Sequence, residues 1–169
     1  MPSVTHQYAV PSSIGQGTHS YTTTQLARYV TTLANGGTSY NISLIDRITD
    51  SAGNLIQDYS PTVQSKVSIS TNTWNIIHEG MRSVIAEKGE FAGFPIDVSG
   101  KTGTAQESKS RPSHALFVGY APSEDPEMAI AVRIGNGYSS TNSMLVARDV
   151  IQYRFGLADE STLITGQAR

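Results

Sequence analysis

Three strand-like segments lie close together in the second half of the chain, and the links between them are short. They run from about Ile96 to Gln106, from His114 to Tyr120, and from Met128 to Ile134. Parallel neighbours need a long crossover, usually a helix, and the stretches 107–113 and 121–127 leave little room for one. An antiparallel meander is favoured. In the third segment Met128, Ile130, Val132 and Ile134 fall on one face, and Ala129 and Ala131 on the other. Small side chains on that second face would let a helix approach closely.

Helices are expected around this meander. Thr22 to Gln25 reads as a capping box, with Thr22 as N-cap and Gln25 three residues on. Leu26, Tyr29, Val30 and Leu33 follow at helical spacing, and Asn35-Gly36-Gly37 ends the run because glycine takes the left-handed cap conformation. Ser70 caps a second helix whose apolar face is Trp74, Ile77, Met81, Val84 and Ile85, with Gly89 closing it. That spacing makes Trp74 a core residue rather than a ligand platform. A last helix, about Asn142 to Phe155, offers Met144, Ala147, Val150, Ile151 and Phe155 for burial. Between the first two helices, Ile42 to Ile48 reads as a strand, Asp50 to Asn54 as a turn, and Leu55-Ile56 as the return of a hairpin. Residues 57–69 read as irregular, 1–20 as loop and 158–169 as a polar tail. The expected class is α+β, one unit over 1–169 with helices packed on a small antiparallel sheet.

The composition removes several functions. Hydrophobic residues at 38% and charged residues at 15% suit a folded chain rather than a disordered one. A net charge of −2, with lysines and arginines scattered, gives no footprint for nucleic acid. There is no cysteine, so disulfides, thiolate nucleophiles and cysteine zinc sites are excluded. His6, His19, His78 and His114 lack the paired spacing of a metal site, and no metal or cofactor is expected. No apolar run is long enough to span a membrane, and the first residues lack the basic and apolar regions of a signal peptide.

The chemistry lies in Val98-Ser99-Gly100-Lys101-Thr102-Gly103-Thr104-Ala105-Gln106. A phosphate loop would need glycine five positions before Gly100. Pro95 stands there, without an N–H, and no helix follows. Gly15 and Gly17 likewise lack the third glycine of a dinucleotide fingerprint. The other reading is the Lys-Thr-Gly strand of serine acyl-transferring enzymes. There a lysine adds positive charge near a nucleophile and a substrate carboxylate, and a hydroxyl bonds that carboxylate. Glycine keeps the strand edge clear for a peptide to lie along it. Taken alone, Lys101 could be an ordinary solvated lysine. His114, at the start of the next strand, either lines the cleft or is a polar strand end.

The surrounding segments carry a resemblance. Gly100 to Gln106 resembles the Gly-Lys-Thr-Gly-Thr-Ala-Gln segment of the penicillin-binding protein transpeptidases, monofunctional class B in particular. Ser13-Ile14-Gly15-Gln16-Gly17, the Thr22–Gln25 helix start and Ala34-Asn35-Gly36-Gly37 resemble the segment upstream of that strand. His114 to Pro122 resembles the strand after it. The similarity spans roughly 12 to 157.

The resemblance implies a peptidoglycan D,D-transpeptidase that takes D-alanyl-D-alanine stem peptides and β-lactams. Its parent would be anchored in the bacterial membrane, facing outward, and would work in a wall-synthesis complex. Lys101 would orient the substrate carboxylate and assist proton transfer, and the Thr102 and Thr104 hydroxyls would bind that carboxylate. Gly103 would keep the edge open, and the Thr104 N–H would be one of two oxyanion donors.

The family also needs a Ser-x-x-Lys motif, whose serine attacks the carbonyl, and a Ser-x-Asn motif. The residues three before Lys66, Lys88, Lys101 and Lys109 are Val63, Ile85, Val98 and Gln106, so no such serine is present. Ser39-Tyr40-Asn41, Ser70-Thr71-Asn72 and Ser140-Thr141-Asn142 all follow Gly17, where the family's motif would precede it. They read as loop and helix-cap residues. The expectation is therefore an inactive C-terminal fragment, prone to self-association through surface that missing parts would cover. Two alternatives stand beside it, a non-catalytic binding module of the same fold and a fragment of a serine β-lactamase.

Overall fold

The computed structural model describes residues 15, 20–107 and 109–163. Most of the Ser13–Gly17 segment, His6, His19 and the end of the tail lie outside the described residues. Helix α1 (Thr23–Ala34) opens on the expected capping box: Thr22 Oγ1 accepts the Gln25 N–H at 3.1 Å, and Gln25 Oε1 accepts the Thr22 N–H at 2.9 Å. The chain leaves α1 through Gly36 and Gly37, both at positive φ. At Gly37 a Cβ would stand 2.7 Å from both the Trp74 ring and the Val67 carbonyl, so that turn needs glycine for space as well as for conformation.

The segment between the first two helices differs from the sequence reading. Ile42–Asp46 is not a strand. The strands are β1 (Thr38–Tyr40), β2 (Arg47–Thr49), β3 (Leu55–Asp58) and β4 (Val63–Lys66). The hairpin itself is as expected. Asp50 accepts the N–H groups of Ala52 and Asn54 at 2.9 and 2.8 Å, and the Asn54 side-chain amide, followed by these backbone bonds, holds its carboxyl below the usual range. Strand β4, in the stretch read as irregular, pairs antiparallel with β1. Every residue of β2, β3 and β4 is exposed, so pairing there rests on backbone bonds and leaves no apolar alternation to detect.

Helix α2 (Thr71–Ala86) is capped by Ser70 Oγ, which accepts the Thr73 N–H at 3.1 Å. It ends at Glu87 rather than at Gly89, which instead begins a 3-10 turn, Gly89–Phe91. His78 Nε2 donates to the Leu33 carbonyl at 2.7 Å, tying α2 to the end of α1.

The meander is present as β5 (Ser99–Ala105), β6 (His114–Ala121) and β7 (Met128–Ile134), in that order and antiparallel throughout. Helix α3 (Ser140–Arg154) buries Met144, Ala147 and Ile151, whereas Val150 stays 41% exposed, outside that stripe. Glu160–Leu163 forms a short helix, α4, within the stretch read as tail.

The sheet separates two packed layers. On one face Tyr120, Val118 and Ala129 meet Val30, Leu33 and Ala34 of α1 and Met81 of α2. Alanine at 129 gives α1 the close approach that the sequence implies. On the other face Phe117, Ala121, Ile130 and Val132 meet Met144, Ala147 and Ile151 of α3.

Candidate functional site

Strand β5 is the outer strand of its sheet, with no strand partner beyond it among the described residues. Its first half is closed. Val98, Ser99 and Gly100 are buried, and α2 packs against this end. Arg82 of α2 pairs with Asp97, just before β5, and with Glu124 after β6 at 2.6 Å. Ser99 Oγ donates to Ser123 Oγ at 2.9 Å, and the Ser123 N–H donates to the Asp97 carbonyl at 2.8 Å. The strand therefore starts from a fixed point and opens at Lys101, which is exposed, as is Thr104.

Strand alternation divides the candidate residues. Lys101, Gly103 and Ala105 lie on the α1 face, in register with Val118, Leu116 and His114. Thr102 and Thr104 lie on the α3 face, in register with Phe117 and Ala115. The structure thus brings all four proposed residues onto one open strand, but not onto one face of it. Lys101 Nζ donates to its neighbour's carbonyl, Thr102 O, at 3.0 Å.

The glycines of this region differ in kind. A Cβ on Gly100 would stand 2.6 Å from the Phe117 ring and one on Gly119 2.7 Å from the Ser99 carbonyl. Packing alone forbids a side chain at both. A Cβ on Gly103 would meet nothing nearer than Leu116 Cβ at 3.4 Å, an ordinary contact. The fold does not require glycine at 103, so its absent side chain leaves room on the open part of β5.

The far end of β5 holds what the sequence reading missed. His114 Nε2 lies 2.7 Å from Glu107 Oε2, and His114 Nδ1 accepts the Asn136 N–H at 3.0 Å. An accepting Nδ1 puts the ring proton on Nε2, where it is donated to Glu107. His114 thus joins the β5–β6 link to the turn after β7. Beside it a cleft of about 460 Å³ lies between Ala105, Glu107, His114, Leu116, Arg133 and Tyr21 at the start of α1. The signal for it was a lone charge, Arg133, in an otherwise apolar strand. Among the described residues no group of three or more His, Cys, Asp or Glu side chains could hold a metal ion.

The His114 bond first, and then the positive charges of Arg133 and Arg111, hold the Glu107 carboxyl below its usual range. The folded value being depressed, the link's contribution is present above the ordinary glutamate range. It is lost as pH falls through the lowered folded value. Carboxyl-carbon NMR should show Glu107 titrating below an ordinary glutamate, and H114F should return it toward the ordinary value. Titration of Glu107 in the usual range in the unmodified chain would mean the pair does not form in solution.

An α+β scaffold whose outer strand carries Gly-Lys-Thr-Gly, opening at the lysine, is that of the penicillin-recognising proteins. The Penicillin binding protein transpeptidase domain family matches residues 3–152, and the chain belongs to that family. Among curated relatives, penicillin-binding protein 2B of Streptococcus pneumoniae is 34% identical over 149 residues, covering 78% of this chain and 22% of that protein. Peptidoglycan D,D-transpeptidase MrdA of Acinetobacter baumannii is 32% identical over 158 residues, covering 83% of this chain and 23% of that protein. Among solved structures, an imipenem acyl-enzyme of penicillin-binding protein A from Mycobacterium tuberculosis superposes with a TM-score of 0.76 at 26% identity, covering 85% of this chain and 33% of that one. Penicillin-binding protein 2B of S. pneumoniae strain R6 superposes at 0.67 with 30% identity, covering 83% of this chain and 26% of that one. The chain therefore spans about a quarter of the length of these curated relatives and corresponds to part of a class B transpeptidase domain.

Proposed function

We propose that this chain is the Lys-Thr-Gly half of a peptidoglycan D,D-transpeptidase site and that it holds, but does not cleave, a D-alanyl-D-alanine peptide. The observation that carries this reading is Gly103, which the packing would allow to be larger on a strand that is open from Lys101 onward. A peptide laid along β5 would add a strand to the sheet, its main-chain groups bonding to an edge that has no strand partner among the described residues. Lys101, exposed and bonded only to its neighbour's carbonyl among the described residues, would turn to the terminal carboxylate at little cost, since that bond is in water. Thr102 and Thr104 would add hydroxyls from the other face of the strand, and the Thr104 N–H would serve the carbonyl under attack.

Acylation needs a nucleophile held beside a base. The sequence contains no Ser-x-x-Lys. Orientation and electrostatics remain, without the group that forms the covalent bond. In the whole protein of which this would be a part, a serine would form the acyl-enzyme and an amine from a second stem peptide would release it, cross-linking the wall. Such a protein would be membrane-anchored, would face outward and would work within a wall-synthesis complex. Exposed Leu44, at 99%, with Ile42 and Ile45 beside it, supports self-association of the chain as it stands.

Intact-mass spectrometry after incubation with a reactive penicillin tests the inactivity. No added mass is expected. A stoichiometric adduct would mean that a serine of this chain is competent.

A further inference from the structure

Two asparagines in the chain are followed by glycine, in Asn35-Gly36 and Asn136-Gly137. Such a pair can close a ring, because the glycine nitrogen attacks the asparagine side-chain carbonyl and no side chain stands in the way. The structure treats the two pairs differently. The Asn35 side chain is held at the end of α1. Its Nδ2 donates to the Thr38 carbonyl at 2.7 Å, and its Oδ1 accepts the N–H groups of Thr38 at 2.8 Å and Gly37 at 3.2 Å. Asn136 is exposed, and its side chain has no hydrogen bond among the described residues. Its main-chain N–H is held by His114 Nδ1 at 3.0 Å. The attacking nitrogens are alike. The Gly36 N–H donates to the Leu33 carbonyl and the Gly137 N–H to the Ile134 carbonyl, each through a long bond of 3.3 Å.

The turn around Asn136 is strained as well. Asn136 and Tyr138 both have positive φ, at 54° and 63°. Asparagine tolerates that conformation, whereas a bulky residue such as tyrosine does not readily adopt it. Gly137 between them is buried, and a Cβ there would stand 2.9 Å from the Cβ atoms of Ala115 and Ile134. Packing therefore keeps glycine after Asn136. The Gly137 carbonyl accepts from the Ser139 N–H and from Asn142 Nδ2, both at 2.8 Å. These bonds anchor Gly137, while the Asn136 side chain is free to turn onto its nitrogen.

We infer that Asn136 is a site of spontaneous deamidation in the folded chain, and that the isoaspartate formed there releases His114. The Gly137 nitrogen bonds to Asn136 Cγ, the Cγ–Nδ2 bond breaks, and ammonia leaves with the Gly137 proton. Water then opens the succinimide at either carbonyl, giving aspartate or isoaspartate without any change of oxidation state. Isoaspartate routes the main chain through the former side-chain methylene. The longer turn relieves the left-handed strain and carries the 136 N–H away from His114 Nδ1. The imidazole then loses the donor that fixes its tautomer.

Peptide mapping tests both halves. The 169-residue chain is kept in mildly alkaline buffer, sampled over time and digested with trypsin, which places the two pairs on separate peptides, 29–47 and 134–148. Fragment-ion spectra locate each change of amide to acid. In the folded chain Asn136 should convert at least about fivefold faster than Asn35, the factor set by breaking one hydrogen bond. In guanidinium chloride the two rates should converge, since only the shared Asn-Gly chemistry is left. Nitrogen NMR of the converted chain should show His114 passing from a single Nε2-protonated form to a mixture of tautomers. N136G, which keeps the left-handed turn without the amide, should retain the single form through the same incubation. Conversion of Asn35 first, or of neither asparagine, in the folded chain overturns the site, and so does a difference in rate that persists in guanidinium. An unaltered His114 spectrum once position 136 is isoaspartate overturns the release.

Discussion

Replacing Phe117 by alanine is expected to cost about 3–5 kcal/mol, a large part of the 5–15 kcal/mol that holds a typical domain folded. Phe117 is fully buried on the α3 face, where it belongs to the cluster of Met144, Ala147 and Ile151. Its ring lies over two positions without side chains. A Cβ on Gly100 would be 2.6 Å from Phe117 Cζ, and one on Gly119 would be 2.8 Å from the same atom. The Phe91 ring stacks on it with centroids 6.3 Å apart. Removing the ring leaves a void bounded by rigid backbone on one side and a packed helix on the other, which is the setting in which cavities collapse least. Urea denaturation should show the loss as a lower midpoint at unchanged slope. The converse substitution, G100A, should cost about 1–3 kcal/mol through overpacking. A double-mutant cycle with F117L should recover part of that cost but not all, because the Val118 carbonyl also stands 2.9 Å from the added Cβ. A loss below about 1 kcal/mol for F117A would mean that the ring is not packed as described, since even small core truncations cost that much.

The meander and its helices were legible because each rests on a local signal that burial reinforces. The alternation along β7 and the small residues at 129 and 131 named both faces of the sheet, and α1 and α3 occupy them. The Thr22 and Ser70 caps were legible for the same reason, since a capping hydroxyl is a one-residue chemical requirement. In the segment 38–66 only the hairpin around Asp50 to Asn54 was. The strands there are three or four residues long, and those from β2 to β4 bury nothing, so no periodicity marks them. The apolar residues of Ile42 to Ile48 suggested one strand, but Ile42 to Asp46 pairs with no strand among the described residues, and Leu44 ends fully exposed.

At the candidate site the strand that carries Lys101 to Thr104 could be placed from the sequence, while the division of those residues between its two faces could not. Which face each residue takes depends on the register Lys101–Val118, and that is set by the paired strand rather than by β5 itself. The His114–Glu107 pair was invisible for a related reason. Their side chains meet because β6 begins directly opposite the end of β5, with His114 facing Ala105. The link between the strands closes the contact, and no spacing rule describes it.

Gly103 to valine should separate stability from binding. In the folded chain an added Cβ meets only Leu116, whose Cβ is 3.4 Å away, so a loss of more than about 1 kcal/mol is not expected. Valine also suits a strand better than glycine does, and a slight gain in stability is within the expected range. A ligand strand on the β5 edge would meet a different surface. Paired residues across an edge bring their Cβ atoms within about 4.5–5.5 Å, so the added methyl groups would occupy space that a bulky ligand side chain on the same face would need. Overpacking of that kind costs about 1–3 kcal/mol, which in a dissociation constant is roughly 5- to 150-fold. Peptide titration with the wild-type chain and G103V, beside their urea midpoints, gives both numbers. A variant that is as stable as the parent but binds at least fivefold more weakly would establish that glycine at 103 serves the ligand, as glycine at 100 serves the core. Unchanged binding in a stable G103V chain would mean that the missing side chain at 103 does not serve the ligand.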